Sequence, residues 1–365
     1  MVSLFTFTTI SYNKLFSLVN VSKEQLIYLN ACIIAAKVNS TRLQELAKQF
    51  SNDWIAAWQK IKISSLNPEK EWVRVERADL QLIPKNDPAY PPRLKHIAGA
   101  PLALYLKGDK AILRIDRCLA VVGSRALSEY GRRAAYQLAG ELAAAGFTIV
   151  SGLAMGVDGV AHQATVDRKG KTIAVLGGPV TGTSIVSANA GLAQQIIKCG
   201  GALISELPLT MGAHKGTFPE RNRIVSGIAR GTIVIEAGPQ SGALITARLA
   251  AEQGRDVFAL PGPIYSRVSQ GTNGLIKQGA KIVTTVADIL AEYPELAQLQ
   301  TRLKLTSEHP VEATILRLLT ETPLSLNELV RLSNLAAPTV TASLMNLELN
   351  DKVINLGGNK YAVRT

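Results

Sequence analysis

The chain has 365 residues, 47% of them hydrophobic, with 40 Lys and Arg against 28 Asp and Glu and a formal net charge of +12. That length allows two or three domains with a sizeable core, and the positive balance favours an anionic partner such as nucleic acid. Three widely spaced cysteines with no CxxC or His/Cys cluster argue against zinc, the absence of an apolar run of about 18 residues argues against a membrane span, and no signal-peptide pattern is visible, so the expected setting is the cytoplasm.

In chain order, residues 1–75 read as helical, with helix-spaced apolar positions around Lys23–Lys37 and Thr41–Lys60. Trp54 and Trp58 lie at i and i+4, a core spacing. This region has no glycine, which argues against the glycine-dependent turns of helix-hairpin-helix DNA binding. Residues 84–108 are proline-rich and then strand-like, and read as a structured connector. From residue 117 strands and helices alternate. Strands are expected at Arg117–Val122, Phe147–Val150, Thr172–Leu176, Ala202–Ser205, Thr232–Glu236, Val257–Leu260 and Lys281–Val283. Helices fall between them, such as Glu129–Ala145 and Gly156–Asp167. The pattern is that of a doubly wound, mostly parallel α/β sheet, which binds ligands at the carboxyl ends of its strands. Residues 285–306 read as a helix and linker. Then Val311–Thr320, Ser325–Ser333 and Pro338–Leu349 read as three helices and Lys352–Val363 as a hairpin, which together spell a winged helix. From Thr306 to Thr365 the net charge is −1, leaving +13 on the rest. A duplex-reading winged helix needs a basic face, so this one reads as a protein-contact module.

The block 217–246 is the richest in chemistry. Phe218 can stack on a base or seal a core, and Pro219 suits the first turn of a helix. Gly238, Pro239, Ser241 and Gly242 form a small-residue turn between a strand and a helix, which exposes amides that attract anions. Gly123, Ser124 and Arg125 follow the first α/β strand: Arg125 and the Ser124 hydroxyl can reach an anion, or Ser124 or Ser128 can cap the next helix. No GxxG follows Gly123, so the dinucleotide fingerprint is missing. After the second strand, Ser151, Gly152, Ala154 and Gly156 leave room for a phosphate to approach backbone. Asp158 complements the helix dipole in one reading and pairs with His162 as a general base in another. Lys215 three residues before Phe218 is a candidate phosphate-plus-stacking pair. Arg221 and Arg223 would point about 200° apart on a helix, so both cannot enter one pocket. Glu206 and Glu236 are available partners for one of them. Late glycines flank Asn273 and Lys277, which either extend the same rim or shape a loop.

Together these segments resemble the DNA-processing protein A family (DprA, also called Smf). The resemblance rests on YPPRLKHIAGAPLALYLKGD (90–109), AVVGSR (120–125), GFTIVSGLAMGVDGVAHQAT (146–165), the 217–246 block, and VFALPG with SQGTNGLIKQGA (257–280). It implies a helical N-terminal domain over 1–83, an extended Rossmann-like DNA-binding domain over 84–295 and a winged-helix domain over 306–365. It also implies sequence-independent binding of single-stranded DNA, protection of incoming strands, loading of the RecA recombinase in natural transformation and recombination, and a homodimer. No enzymatic activity, cofactor or metal is implied. By the same resemblance Arg125 holds a backbone phosphate, Lys215 and Phe218 take the positions of a DNA-binding lysine and a base-contacting aromatic, Arg221, Asn222 and Arg223 carry the RNR signature, and Ser241-Gly242 form a second phosphate-type turn. One departure is the stretch GGPVTGTSIVSANAG after the third α/β strand, which lacks a Tyr-Pro pair.

The alternative is a nucleotide-processing enzyme related to phosphoribohydrolases. Its PGGxGT loop and glutamate would fall near Gly238–Thr246, where the chain reads GPQSGALIT with no acid. A third reading is an adaptor that acts only through the winged helix.

Overall fold

Side-chain capping and small breaks partition the helical start of the chain. The computed structural model describes residues 21–61, 63–181, 184–214, 216–294, 310–319, 322–349 and 352–363. Helix α1 (Lys23–Ala35) begins where the Ser22 hydroxyl accepts from the Gln25 amide. The apolar stretch expected over 41–60 forms two helices, α2 (Ser40–Gln49) and α3 (Trp54–Ile61), because Ser51 and Asn52 take positive φ between them. Helix α4 (Pro68–Arg77) starts with proline in its first turn under an Asn67 cap. Trp54 and Trp58 are both buried, as their spacing predicts.

These helices share one apolar core with the sheet. Leu29, Trp54, Trp58 and Trp72 cluster with Leu82, Tyr105, Ala174 and Leu203. The Tyr105 hydroxyl donates to Asn30 Oδ1 at 2.6 Å across that junction, while the buried Asn30 Nδ2 has no partner.

The sheet has nine strands in the order β1-β2-β6-β5-β4-β3-β7-β8-β9. They are β1 (Gln81–Pro84), β2 (Ala103–Gly108), β3 (Cys118–Val122), β4 (Thr148–Ser151), β5 (Thr172–Val175), β6 (Ala202–Ser205), β7 (Gly231–Val234), β8 (Asp256–Ala259) and β9 (Lys281–Ile282). Strands β6 through β8 are parallel, while β1 and β2 add an antiparallel edge. The stretch over 84–108 is therefore more than a connector: its apolar second half is β2, which pairs with both β1 and β6. Pro84 is tolerated because β1 is an edge strand, where a missing N–H breaks no ladder.

Helices α5 (Glu129–Ala144), α6 (Val157–Asp167), α7 (Ala190–Lys198), α8 (Thr217–Ile228), α9 (Gly242–Glu252) and α10 (Gln270–Lys277) connect the strands. On the face opposite the N-terminal helices, Val122, Val150, Ile173 and Ile204 pack with Ile224, Val225, Ala243 and Ala247. The two faces alternate along each strand, so Ala174 and Leu203 point one way while Ile173 and Ile204 point the other. Because β4, β5 and β6 lie to one side of β3 and β7 to the other, the topological switch point falls between β3 and β7.

The chain divides into two compact units, Met1–Lys281 and Ile282–Thr365. In the second, α11 (Val286–Leu290) is followed by α12 (Pro310–Leu319), α13 (Leu326–Ser333), α14 (Ala337–Leu349) and the strands β10 (Leu324–Ser325), β11 (Val353–Gly357) and β12 (Lys360–Val363). Ile315, Leu316, Leu329, Val340, Leu344 and Val353 form its core, and the small sheet runs β10-β12-β11. This is a winged helix, with the wing turning at Gly357 and Gly358, both at positive φ. Among the described residues no helix is long and apolar enough to cross a membrane.

Candidate nucleic-acid interface

An open cleft of about 700 Å³ lies over the switch point. Its walls come from the end of β3, the loop after β4, the start of α8 and the turn into α9.

At the end of β3, Gly123 is required by crowding: a Cβ there would stand 2.5 Å from Val157 Cγ2 and 3.0 Å from Glu236 O. The next amide, Ser124 N–H, donates to Glu236 O at 2.7 Å, which ties the ends of β3 and β7 together. Ser124 closes its own turn on Ala126, and Ser128 is the residue that caps α5. Arg125 is left exposed, with its guanidinium 5.8 Å from the centre of the Phe218 ring.

After β4, the Ser151 hydroxyl donates to Val121 O at 2.6 Å inside the sheet and does not line the cleft. Asp158 takes on more than a helix-dipole role. It is buried, and its Oδ2 accepts from the Gly152 amide at 3.1 Å and the Ala154 amide at 3.4 Å. Burial pushes its carboxyl above the usual range, against the pull of Arg221. Gly156 sits at φ 83° against the Ser124–Arg125 backbone and positions that segment from behind.

The Asp158–His162 base does not form. The Thr172 hydroxyl donates to Ile149 O at 2.6 Å, so it accepts from His162 Nδ1–H at 2.7 Å. Nε2 is left bare, buried and without a partner. Burial holds the imidazole pKa down to about 3, and the nearby Arg221 charge adds to that. A proton acceptor this weak and this inaccessible cannot serve as a base at neutral pH.

Phe218, half-buried at the start of α8, leans on Gly177: a Cβ there would come within 2.7 Å of the ring. The two arginines of the RNR segment diverge, as the helical period requires. Arg223 pairs with both Glu206 oxygens, at 2.8 and 2.7 Å, and donates to Gly99 O at 3.1 Å, away from the cleft. Arg221 is buried at the cleft floor, donates to Val175 O, and faces Asp158. Glu236 is no arginine partner: its carboxylate accepts from the Ser128 hydroxyl at 2.5 Å and the Ser128 amide at 2.9 Å. Asn222 lines the cleft and reaches Gly242 O at 3.4 Å.

Across the cleft, Ser241 caps α9 by accepting from the Ala243 amide at 3.3 Å. Nothing lies within 4 Å of a Cβ built on Gly242, so the start of α9 is open to approach. The first amides of a helix have no intrahelical acceptor and favour anions.

The structure thus gathers Gly123, Ser124, Arg125, Gly152, Ala154, Phe218, Arg221, Asn222, Ser241 and Gly242 on one cleft. Ser151, Gly156 and Arg223 do not line it. Asn273 and Lys277 lie on α10 off its rim, and Asn273 clamps the Gly262 backbone at 3.0 and 3.3 Å. Lys215 falls outside the described residues. Arg267, exposed on the rim, is a lining residue that the motifs do not point to. The signal available in sequence was its place as the lone cation between Gly262 and Gly271.

Residues 81–294 match the family of DNA recombination-mediator protein A, and residues 300–359 match the DprA winged helix domain. Protein Smf of Escherichia coli is 47% identical over 216 residues, which cover 59% of this chain and 57% of that protein. The solved structure of DNA processing protein A from Streptococcus pneumoniae superposes with a TM-score of 0.61 at 32% identity, covering 74% of this chain and 98% of that one. That of DNA processing protein A from Helicobacter pylori, described for its single-stranded DNA binding mode, gives 0.53 at 27% identity over 59% of this chain and 96% of that one. With both its sheet domain and its winged helix matched, the chain belongs to the DNA recombination-mediator protein A family.

Proposed function

We propose that the chain binds single-stranded DNA without sequence preference in the switch-point cleft, protects incoming strands, and loads RecA recombinase onto them in the cytoplasm during natural transformation and recombination, as a homodimer and without catalysis. The observation that carries the reading is the Arg125 guanidinium over Phe218 facing the open start of α9. A cation and a helix N-terminus take phosphates, and an aromatic face stacks on any base, so neither contact reads sequence. The single-strand binding described for the Helicobacter pylori relative supports the same ligand.

Among the described residues lining the cleft, Asp158 is the one carboxylate, and it is committed to two amides and Arg221. That favours binding over turnover. In the winged helix, α14 carries no lysine or arginine, and Met345 and Leu356 are exposed, which favours a protein-contact role. Met345→Asp should then leave affinity for oligo-dT unchanged; a loss would assign α14 to DNA.

A fluorescence-anisotropy titration with oligo-dT across salt tests the main reading. Binding should weaken steeply with salt, exceed duplex binding, and fall in Arg125→Ala. Equal affinity for duplex and single strand, unaffected by Arg125→Ala, would overturn it, and release of free base from nucleoside monophosphates would favour the hydrolase alternative. RecA loading is read as faster RecA ATPase onset on strands already coated by a single-strand binding protein, and no acceleration removes that part.

A further inference from the structure

Two large apolar side chains project from the loop between β8 and α10. Ile264 is 74% exposed and Tyr265 is 94% exposed. The loop that carries them is braced at several points. Ser266 N–H closes a turn on Pro263 O at 3.0 Å, Asn273 clamps Gly262, and the Tyr130 hydroxyl donates to Pro261 O at 2.9 Å. Ala237 N–H donates to Val268 O at 2.7 Å and fixes the far end to the strand that feeds the α9 turn. Gly262 packs against Ser269 so closely that a Cβ would stand 2.8 Å from the Ser269 Cβ. A rigid support under solvated apolar side chains is a feature of binding surfaces.

What this tip is built to meet follows from its neighbours. Arg267 and Val268, next in the chain, line the cleft, as do Arg125 and Ala126, which precede the α5 turn bearing Tyr130. The tip therefore continues the cleft rim. Of the cations along this rim, Arg248 is answered by Glu252 at 3.6 Å and Lys281 by Asp256 at 2.9 Å, whereas Arg267, two residues from Tyr265, and Lys277 are set among residues 261–280, which contain no Asp or Glu. An apolar protein partner would leave that charge unanswered, whereas a nucleic-acid strand answers both the charge and the aromatic ring.

We infer that Tyr265 is a second base-stacking platform, which receives the nucleotides of a single strand leaving the cleft past Arg267. The inference rests on the single-strand reading of the cleft. It divides the strand's path in two: Phe218 and Arg125 hold its inner part, and Tyr265 adds length to the site without adding sequence preference.

Tyr265→Trp places a reporter at the tip, while the native tryptophans Trp54, Trp58 and Trp72 are buried. Titration with long oligo-dT should quench the added emission in step with anisotropy, and Tyr265→Ala should weaken binding of the long oligomer about fivefold or more. A short oligomer that fills only the cleft should bind Tyr265→Ala and the wild type alike. Unchanged emission from the introduced indole at DNA saturation, or equal affinity of Tyr265→Ala for the long oligomer, overturns this inference and leaves the cleft standing. No wild-type binding of either oligomer overturns both.

Discussion

The Arg125 guanidinium lies over the Phe218 ring, 5.8 Å from its centre, and so a cation and an aromatic plane share one wall of the cleft. The two side chains should separate cleanly in mutants. Phe218→Ala removes a stacking face, which is typically worth about 1–3 kcal/mol per base. Its affinity for oligo-dT should fall about 5- to 150-fold with the salt slope unchanged. Arg125→Ala removes one phosphate contact, so its slope of log affinity against log salt should drop by about 0.7 as well. Equal slopes in both variants would show that Arg125 touches no phosphate.

Two glycines, Gly156 behind the cleft wall and Gly242 on it, should respond differently to alanine. At Gly156, φ is 83° and a Cβ would stand 2.7 Å from Arg125 Cα. At ψ −133° this is a backbone region that alanine scarcely enters, so Gly156→Ala forces strain of about 1–3 kcal/mol and shifts the backbone that carries Arg125. Thermal melting should drop by several degrees, and DNA affinity should fall with it. At Gly242 a Cβ meets nothing within 4 Å. Gly242→Ala should melt like the wild type yet bind oligo-dT more weakly, because only a phosphate approaching the α9 amides would meet the new methyl. Wild-type affinity in Gly242→Ala would remove the α9 start from the binding site.

How much of this was legible beforehand depends on the kind of signal. The parallel strands were readable because each is a short β-branched or apolar run between helix-period segments, and Trp54 and Trp58 announced a buried helix face. Strand β1 was hidden because Pro84 and its proline-rich neighbours read as loop, although an edge strand accepts proline. Within the site, motif adjacency located the walls but could not tell which way a side chain points. Ser151 neighbours Gly152 in sequence, yet the pleat turns its hydroxyl onto Val121 O, away from the cleft. Arg221 and Arg223 were separable because the helical period alone sets them on different faces. Arg267 carries only the weak signal of a lone cation between Gly262 and Gly271, because its place on the rim depends on Val268 docking against Ala237, a contact between distant segments.

Arg223 should prove to be a stability residue. Its side chain and that of Glu206 are 19% and 15% exposed, and burial already pushes the Glu206 carboxyl upward. Arg223→Ala strands that carboxylate, at a cost of about 3 kcal/mol, whereas replacing both partners with apolar residues avoids most of the penalty. Urea melts should therefore rank the wild type and the double variant Arg223→Met with Glu206→Leu well above Arg223→Ala. The salt slope for oligo-dT should match the wild type in Arg223→Ala at temperatures where it is folded. A slope lowered as in Arg125→Ala would instead place Arg223 on the DNA.

His162 should make the fold acid-sensitive. Its folded pKa is held to about 3 against an ordinary 6.5, because burial and Arg221 both oppose a charged ring. The unfolded chain therefore binds a proton below pH 6.5 that the folded chain refuses until near pH 3. Stability from this residue is complete above pH 6.5 and is lost as the pH falls from there toward 3. Between about pH 7 and pH 5.5 the loss is about 1.2 kcal/mol. Asp158, with its carboxyl pushed up, binds protons more readily folded than unfolded and offsets part of the loss at lower pH. His162→Gln keeps a donor for the Thr172 hydroxyl and removes the titration, while Asp158 remains in both proteins. Urea melts at about pH 7 and pH 5.5 should thus show a smaller drop for His162→Gln than for the wild type, by about that amount. Equal drops would mean that the imidazole is protonated in the folded protein, and that the bare Nε2 beside Arg221 is not how the core holds it.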